Sequence, residues 1–494
     1  MEISIKKEKK TKNSIAKEAI LLTIGKIIVV GISLLNSMLL SRFRTLHEYG
    51  TYSQITTIVS IVSTIFVLGL PNCLNYFIGK ADTNEEKDKF LCTYYKMISV
   101  LSLSCGIVLV ACIGLIVFYY NNTSIYDYWY CLLILPWTTT VIEGFSNMMV
   151  SYKKTTKLIF FNLFRSIGLL LIIFFTKFLN GSFSTYMIIY ILFDSIFTCL
   201  VYLQAAKLTT KFYKAFDTQM IKAILIFSIP MGISSLLSTL NIKMDHLVVG
   251  TFFSTDEYAI FSNAATELPF NVISASFTAV LMPKMVKLLK NNDEKKAILL
   301  WKDVIKFNSI IMFFFSIVCV VFAPYIMKIL YSDKYIPGYS VFRVYSFILL
   351  LRITYFGMIL NSKGRPKFIL LSSLIALLLN LFLNILFVHL FGMIGPAIST
   401  LLSLLIVGIL QLSISCKIIK IRFRDIFPWK FLIGMLFLHF SFSIILLRIL
   451  EILELDFSNT STFYAILIGV SFLLIYFGFW GNPMKKILQR MKEF

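Results

Sequence analysis

The stretch "LHEYGTYSQ" (Leu46–Gln54) separates two long apolar runs with an acid, two tyrosines and a glycine, and it returns 209 positions later as "TDEYAIFSN" (Thr255–Asn263). Two further echoes keep the same order. "NEEKDK" (Asn84–Lys89) is answered by "NDEKKA" (Asn292–Ala297) at an offset of 208, and "SYKKTTK" (Ser151–Lys157) by "NSKGRPK" (Asn361–Lys367) at 210. Short polar loops resemble one another by convergent chemistry. Three matches in one order at a nearly constant offset read instead as an internal duplication.

The runs between the echoes set the class of protein. The 494 residues are 58% hydrophobic and only 15% charged, with a mean hydropathy of +0.83. A water-soluble globule of this size needs more polar surface than that. Apolar runs of about 20 residues recur throughout, each long enough to cross a hydrocarbon core of about 30 Å. The expected fold is an all-α polytopic membrane protein of about 14 transmembrane helices. The spans are placed at 18–41, 51–78, 94–119, 128–150, 158–178, 185–206, 221–249, 258–282, 305–330, 341–361, 368–390, 394–416, 430–450 and 463–481. The expected organisation is an N-terminal six-helix lobe (1–210), a C-terminal six-helix lobe (211–424), and an appended helix pair with a tail (425–494). Six spans per copy is an even number, so the lobes are parallel, related by an axis along the membrane normal.

The net charge of +22 does not point to nucleic acid. With the N-terminus placed inside, 36 of the 47 basic residues fall in the segments that alternate to the cytoplasmic side. Loops expected outside, such as "YYNNTSIYDY" and "EILELDF", are acidic or neutral. The positive-inside rule accounts for this asymmetry and puts both termini in the cytoplasm. The basic N-terminus lacks a short apolar core with a cleavage site, so the first span is expected to act as a signal anchor. Sequons at Asn121, Asn122, Asn180 and Asn459 fall in expected outer loops and carry little weight.

No GxSxG, Walker, HExxH or Gly-rich dinucleotide signature is present, so no enzyme reading arises from motifs. The four histidines stand apart, and the eight cysteines contain no CxxC. No metal and no cofactor is implied. A membrane polymerase or glycosyltransferase usually carries a large outer loop or extramembrane domain, whereas no expected outer loop here exceeds roughly 15 residues.

The informative residues are charges at membrane depth, which are costly and usually face a cavity. The candidate substrate-binding cations are Lys26, Arg165, Lys243 and Arg352. Lys26 is expected about a turn or two, and Arg165 about two turns, inside the membrane from the inner face, where snorkelling and cavity lining compete. Arg352, in "FILLLRITYFG", is deepest and reads as cavity-lining. Arg343, Lys177 and Lys328 read as interfacial. The candidate ion-coupling residues are Asp245, Glu267, Glu143 and Asp194; for Glu143 and Asp194 structural pairing with a cation is the first reading, and Asp245 and Lys243 are each expected to pair with a different neighbouring helix. Glu267 precedes Pro269, and proline frees a backbone carbonyl where a helix can hinge. Several cations around one aqueous cavity suit an anionic cargo, because Arg grips phosphate oxygens bidentately and Lys acts as a point charge.

The segments "KEAILLTIGKIIVVGISLLNSMLLSRFRTLHEYGTYSQ" (17–54), "GLPNCLNYFIGK" (69–80) and "MDHLVVGTFFSTDEYAIFSNA" (244–264) resemble Wzx-type polysaccharide repeat-unit flippases of the multidrug/oligosaccharidyl-lipid/polysaccharide exporter superfamily. That resemblance implies two six-helix lobes in a V around a central cavity. It implies movement of an undecaprenyl-diphosphate-linked oligosaccharide, for capsule, O-antigen or exopolysaccharide, between leaflets of a bacterial cytoplasmic membrane. Lys26, Arg165, Lys243 and Arg352 are then the cavity cations. The implied partners are the polyprenyl-diphosphate-linked glycan, membrane lipids, and a polysaccharide polymerase and glycosyltransferases. Two related readings stay open: a lipid II flippase, and a cation-coupled multidrug exporter, the latter disfavoured by a cationic lumen.

Overall fold

The computed structural model describes residue 25 and residues 27–210, 217–455 and 459–492. Every regular element among them is helical. In chain order they are α1 (Ile27–Phe43), α2 (Leu46–Val67), α3 (Leu70–Lys80), α4 (Asn84–Ala111), α5 (Ile113–Tyr120), α6 (Trp129–Ser151), α7 (Thr155–Phe178), α8 (Phe183–Ala206), α9 (Thr218–Phe252) and α10 (Thr255–Ala264). Then follow α11 (Asn271–Lys290), α12 (Glu294–Val321), α13 (Ala323–Tyr331), α14 (Tyr339–Ile348), α15 (Met358–Ser362), α16 (Pro366–Phe391), α17 (Gly395–Ile419), α18 (Phe423–Ile426), α19 (Trp429–Ile452) and α20 (Asn459–Lys492).

Ten stretches among the described residues are long and apolar enough to cross a membrane. The difference from the fourteen expected has four sources. The first span is described, apart from residue 25, only from Ile27. α6 is long enough but carries Thr138, Thr139, Thr140, Glu143, Ser146 and Asn147. The span at 341–361 is broken into α14 and α15. The spans at 368–390 and 394–416 form one apolar stretch, Pro366–Ile419, which folds back on itself through a short 3-10 turn at Gly392–Ile394.

The duplication read from the loops extends into element lengths. α4 and α12 each have 28 residues, and both begin and end 210 positions apart. Both break at matching positions, Cys112 and Phe322. The 3-10 turns that follow, Thr123–Tyr128 and Asp333–Gly338, keep that offset, as do the starts of α6 and α14. The register of 210 replaces the 208 suggested by the two acidic loops.

The chain divides into two compact units. The first runs to Lys243 and includes Ser254–Asp256; the second comprises Met244–Phe253 and the chain from Glu257. In the first, α2 starts with a capping box: the Glu48 amide donates to Thr45 Oγ1 at 3.2 Å, and the Thr45 amide donates to Glu48 Oε2 at 2.9 Å. The acid of the opening stretch therefore helps close a helix end, where it and Thr45 each satisfy one backbone donor. α2 stops at Leu68, and Gly69 follows with φ +71°. A Cβ on Gly69 would lie 2.5 Å from the Gly232 amide nitrogen, so glycine is required there for both conformation and close approach. Phe90, Tyr94 and Ile98 of α4 pack with Val141, Phe145 and Met148 of α6 to form this unit's core.

In the second unit α12 is the central shaft: 78% of its most apolar window is buried, against 22% for α7. The last two helices help to bury it. Tyr476 of α20 donates to the Ile310 carbonyl at 2.9 Å, His439 of α19 lies 3.1 Å from Ser316 Oγ, and Phe472 stacks on Phe314. Such partners satisfy polar tips that burial would otherwise leave costly.

Candidate functional site

Two interrupted segments of the second unit meet through their charges. Between α10 and α11 the chain leaves the helix at Ala265, passes Glu267 and Pro269, and re-enters at Asn271. Proline lacks the amide donor and disfavours a helical conformation at the residue before it, which accounts for the break. Between α14 and α15 the backbone from Ile348 to Arg352 is held by tight turns, including Leu351 N to Ile348 O at 2.8 Å. Arg352 sits in this segment. Its Nε donates to Glu267 Oε2 at 3.1 Å and its Nη2 to Oε1 at 2.7 Å, the fork geometry in which guanidinium and carboxylate match best. The arginine side chain is still 41% exposed.

Unwound backbone inside an apolar protein needs substitute partners. Asn308, fully buried on α12, donates to the Ile353 carbonyl at 3.0 Å and to Ser274 Oγ at 3.2 Å. Trp301 Nε1 donates to Thr354 Oγ1 at 2.8 Å. The shaft helix thus holds the broken segment in place.

Asp245, on α9, is the second centre. It is 2% exposed and accepts from three side chains: Tyr345 of α14, Asn384 Nδ2 at 2.9 Å and Thr400 Oγ1 at 2.6 Å. Asn380 extends the network, donating to Thr400 at 2.9 Å while its Oδ1 accepts from Asn384 at 3.1 Å. Asn384 Oδ1 is buried with no hydrogen-bond partner. A carboxylate beside an unsatisfied carbonyl oxygen, with further hydroxyl oxygens at hand, is a donor set suited to a proton or a hard monovalent cation. No cluster of three or more His, Cys, Asp or Glu that would hold a metal occurs among the described residues.

In the first unit Arg165 of α7 and Asp194 of α8 form another fork, Nε to Oδ1 at 2.9 Å and Nη2 to Oδ2 at 2.8 Å. Asp194 is completely buried and Arg165 is 25% exposed. Glu143 of α6 has no ion-pair partner among the described residues and lines a cavity of about 360 Å³ with residues of α2, α8 and α9. Lys243 is half-buried on α9 and likewise has no such partner. Lys26 lies outside the described residues. Arg343 donates to the Val320 carbonyl at 2.9 Å and sits over the Tyr339 ring.

The seven described residues of the eight singled out from sequence therefore do not form one cluster. Four make two ion pairs, Asp245 anchors a separate network, Glu143 lines a cavity, and Lys243 has no ion-pair partner among the described residues. Sequence reasoning missed the neutral partners: Asn308, Tyr345, Asn380, Asn384 and Thr400. Asn380 and Asn384 carried a usable signal, because two amides four residues apart in "LLLNLFLNILF" share one face of an otherwise apolar helix.

Residues 39–339 match a family model described as a polysaccharide biosynthesis protein. An uncharacterized membrane protein of Methanocaldococcus jannaschii is 28% identical over 187 residues, and the match spans 37% of that relative's length and 37% of this chain. Among solved structures, the lipid II flippase MurJ in an inward closed conformation superposes with a TM-score of 0.71 at 18% identity, covering 94% of this chain and 100% of that one. An inward-facing MATE multidrug transporter of the MOP superfamily gives 0.63 at 13% identity, covering 81% and 98%. A Vibrio cholerae MATE transporter gives 0.54 at 16% identity, covering 83% and 98%. Identities this low carry the fold alone.

Proposed function

The chain belongs to the polysaccharide biosynthesis protein family, and from that premise we propose that it is a flippase rather than an enzyme. Its cargo in this reading is a polyprenyl-diphosphate-linked oligosaccharide repeat unit, moved from the inner to the outer leaflet of the cytoplasmic membrane by alternating access. Both termini lie in the cytoplasm, as the distribution of basic residues supports. A polymerase and glycosyltransferases are the natural downstream and upstream partners.

The observation that carries this reading is the Arg352–Glu267 pair on two unwound segments. Broken helices place backbone and charge at membrane depth only where a cavity or protein receives them. A diphosphate presents oxygen pairs like those of a carboxylate, so it can take Glu267's place on the Arg352 fork. Pro269 gives Glu267 a non-helical tether from which to withdraw. In this scheme the pair opens for the cargo and closes behind it.

Asp245 is the coupling residue in this proposal. Three donors fix its carboxylate, and a proton or cation arriving there changes the charge that α9 carries. Any gradient-driven cycle needs such a switchable charge, because only a differential interaction moves a two-state equilibrium.

Reconstitution in liposomes with defined lipid-linked glycans tests the reading. Flipping of a polyprenyl-diphosphate oligosaccharide that is lost in Arg352→Ala and stimulated by a proton or sodium gradient is the expected result. Failure with every polyprenyl-diphosphate sugar sinks it, and movement of lipid II alone moves the assignment to that cargo.

A further inference from the structure

The cavity of the first unit has a chemical bias opposite to the expected cationic lumen. Among the described residues no lysine or arginine lines it, and the ionisable side chains on its wall are Glu143 and Tyr190. Four of its five threonines are also spent as donors. Thr56 gives its hydroxyl proton to the Ser53 carbonyl at 3.1 Å, Thr64 to Ser60 at 2.8 Å, Thr139 to Leu135 at 2.6 Å and Thr140 to Pro136 at 2.7 Å. A hydroxyl has one proton and two lone pairs, so each of these oxygens is left as an acceptor. The wall is therefore rich in acceptors around one carboxylate.

Size narrows the ligand. About 360 Å³ falls in the roughly 300–1,000 Å³ range of small-molecule pockets. One water occupies about 30 Å³ of liquid, so a bare ion would leave most of the space to solvent. These threonine acceptors come from two different helices, α2 and α6, with α3, α8 and α9 closing the wall. They are spread around the cavity and not gathered about one point.

We infer that this cavity binds a sugar residue bearing a protonated primary amine. Glu143 supplies the counter-charge, and the threonine oxygens accept from the ammonium and the ring hydroxyls. The inference deepens the glycan-flipping reading and rests on it for the class of ligand. It names a feature of the cargo: at least one amino sugar that is not N-acylated. Acylation removes the charge and leaves a bulkier neutral amide, which forfeits the charge-assisted bond to Glu143.

The test uses the full chain in lipid nanodiscs, with glucosamine, N-acetylglucosamine, glucose and sodium chloride as probes, read by calorimetry and ligand-induced thermal shift. Glucosamine is expected to bind, and Glu143→Gln to weaken it by about tenfold or more, the scale of one charge-assisted hydrogen bond. Thr140→Val, which removes one acceptor at constant shape, is expected to weaken it less. N-acetylglucosamine and glucose are expected to bind more weakly than glucosamine. Equal binding of the N-acetylated sugar, no effect of Glu143→Gln, or a response to sodium alone overturns the inference. A parallel flipping assay separates it from the broader reading. Flipping of lipid-linked glycans without Glu143-dependent amine binding leaves a flippase and removes this site. Glu143-dependent glucosamine binding without any flipping leaves the site and removes the flippase.

Discussion

The Arg352 guanidinium holds the Glu267 carboxylate through two parallel hydrogen bonds, 2.7 and 3.1 Å, and neither residue stands in a helix. The pair joins two interruptions separated by 85 positions in the chain. Replacing Arg352 by Lys keeps the charge but loses the fork, and such a change is not conservative at a bidentate site. Arg352→Lys is expected to keep most of the thermal stability while reducing the initial flipping rate several-fold. Glu267→Gln frees the guanidinium and is expected to tighten binding of diphosphate-bearing lipid. Unchanged lipid affinity in Glu267→Gln would count against exchange at this pair.

Arg165 and Asp194 make the same geometry in a different setting, because Asp194 is completely buried. Removing Arg165 leaves an uncompensated buried carboxylate, at a cost of about 3–5 kcal/mol. Arg165→Leu should lower the unfolding midpoint sharply, and Arg165→Leu with Asp194→Leu should recover most of the loss. If the double variant flips cargo normally, the pair is structural; a stable but inactive double variant gives Arg165 a role in transport.

Asp245 accepts from Tyr345, Asn384 and Thr400 at once. Asp245→Asn replaces one acceptor oxygen by a donor that faces donors. The expected outcome is loss of any sodium- or proton-dependent stabilisation in a thermal-shift titration, with gradient-driven flipping falling to the gradient-free rate. A titration that is unaltered in the variant removes Asp245 from coupling.

Asn308 bonds the Ile353 carbonyl in the unwound segment. Asn308→Leu orphans a buried carbonyl and should cost about 1–3 kcal/mol. Hydrogen exchange localises the effect: faster exchange is expected in residues 349–357, with the α16–α17 hairpin unaffected. Uniform acceleration throughout the second unit would instead mark Asn308 as a general core residue.

Much of the fold was legible in the sequence because its signals are local. Apolar run length reports the thickness of a membrane. Echoes such as "EYGTYSQ" and "EYAIFSN" report a duplication that the matched lengths of α4 and α12 extend. The proline after Glu267 announced a helix interruption. No comparable residue announced the interruption at 349–357, which depends on Asn308 and Trp301 reaching across from another helix.

The site was legible as residue types but not as an arrangement. Sequence alone determined that charges such as Arg165, Asp194, Asp245, Glu267 and Arg352 fall within long apolar runs, because hydropathy acts residue by residue. Only the tertiary structure decided which of them neutralise each other, which one gathers neutral amides and hydroxyls, and that Glu143 faces an acceptor-lined cavity. The physical reason is the range of the forces. A hydrogen bond demands placement within a few tenths of an ångström, and partners 29, 85 or 139 positions apart acquire that placement only when whole helices pack.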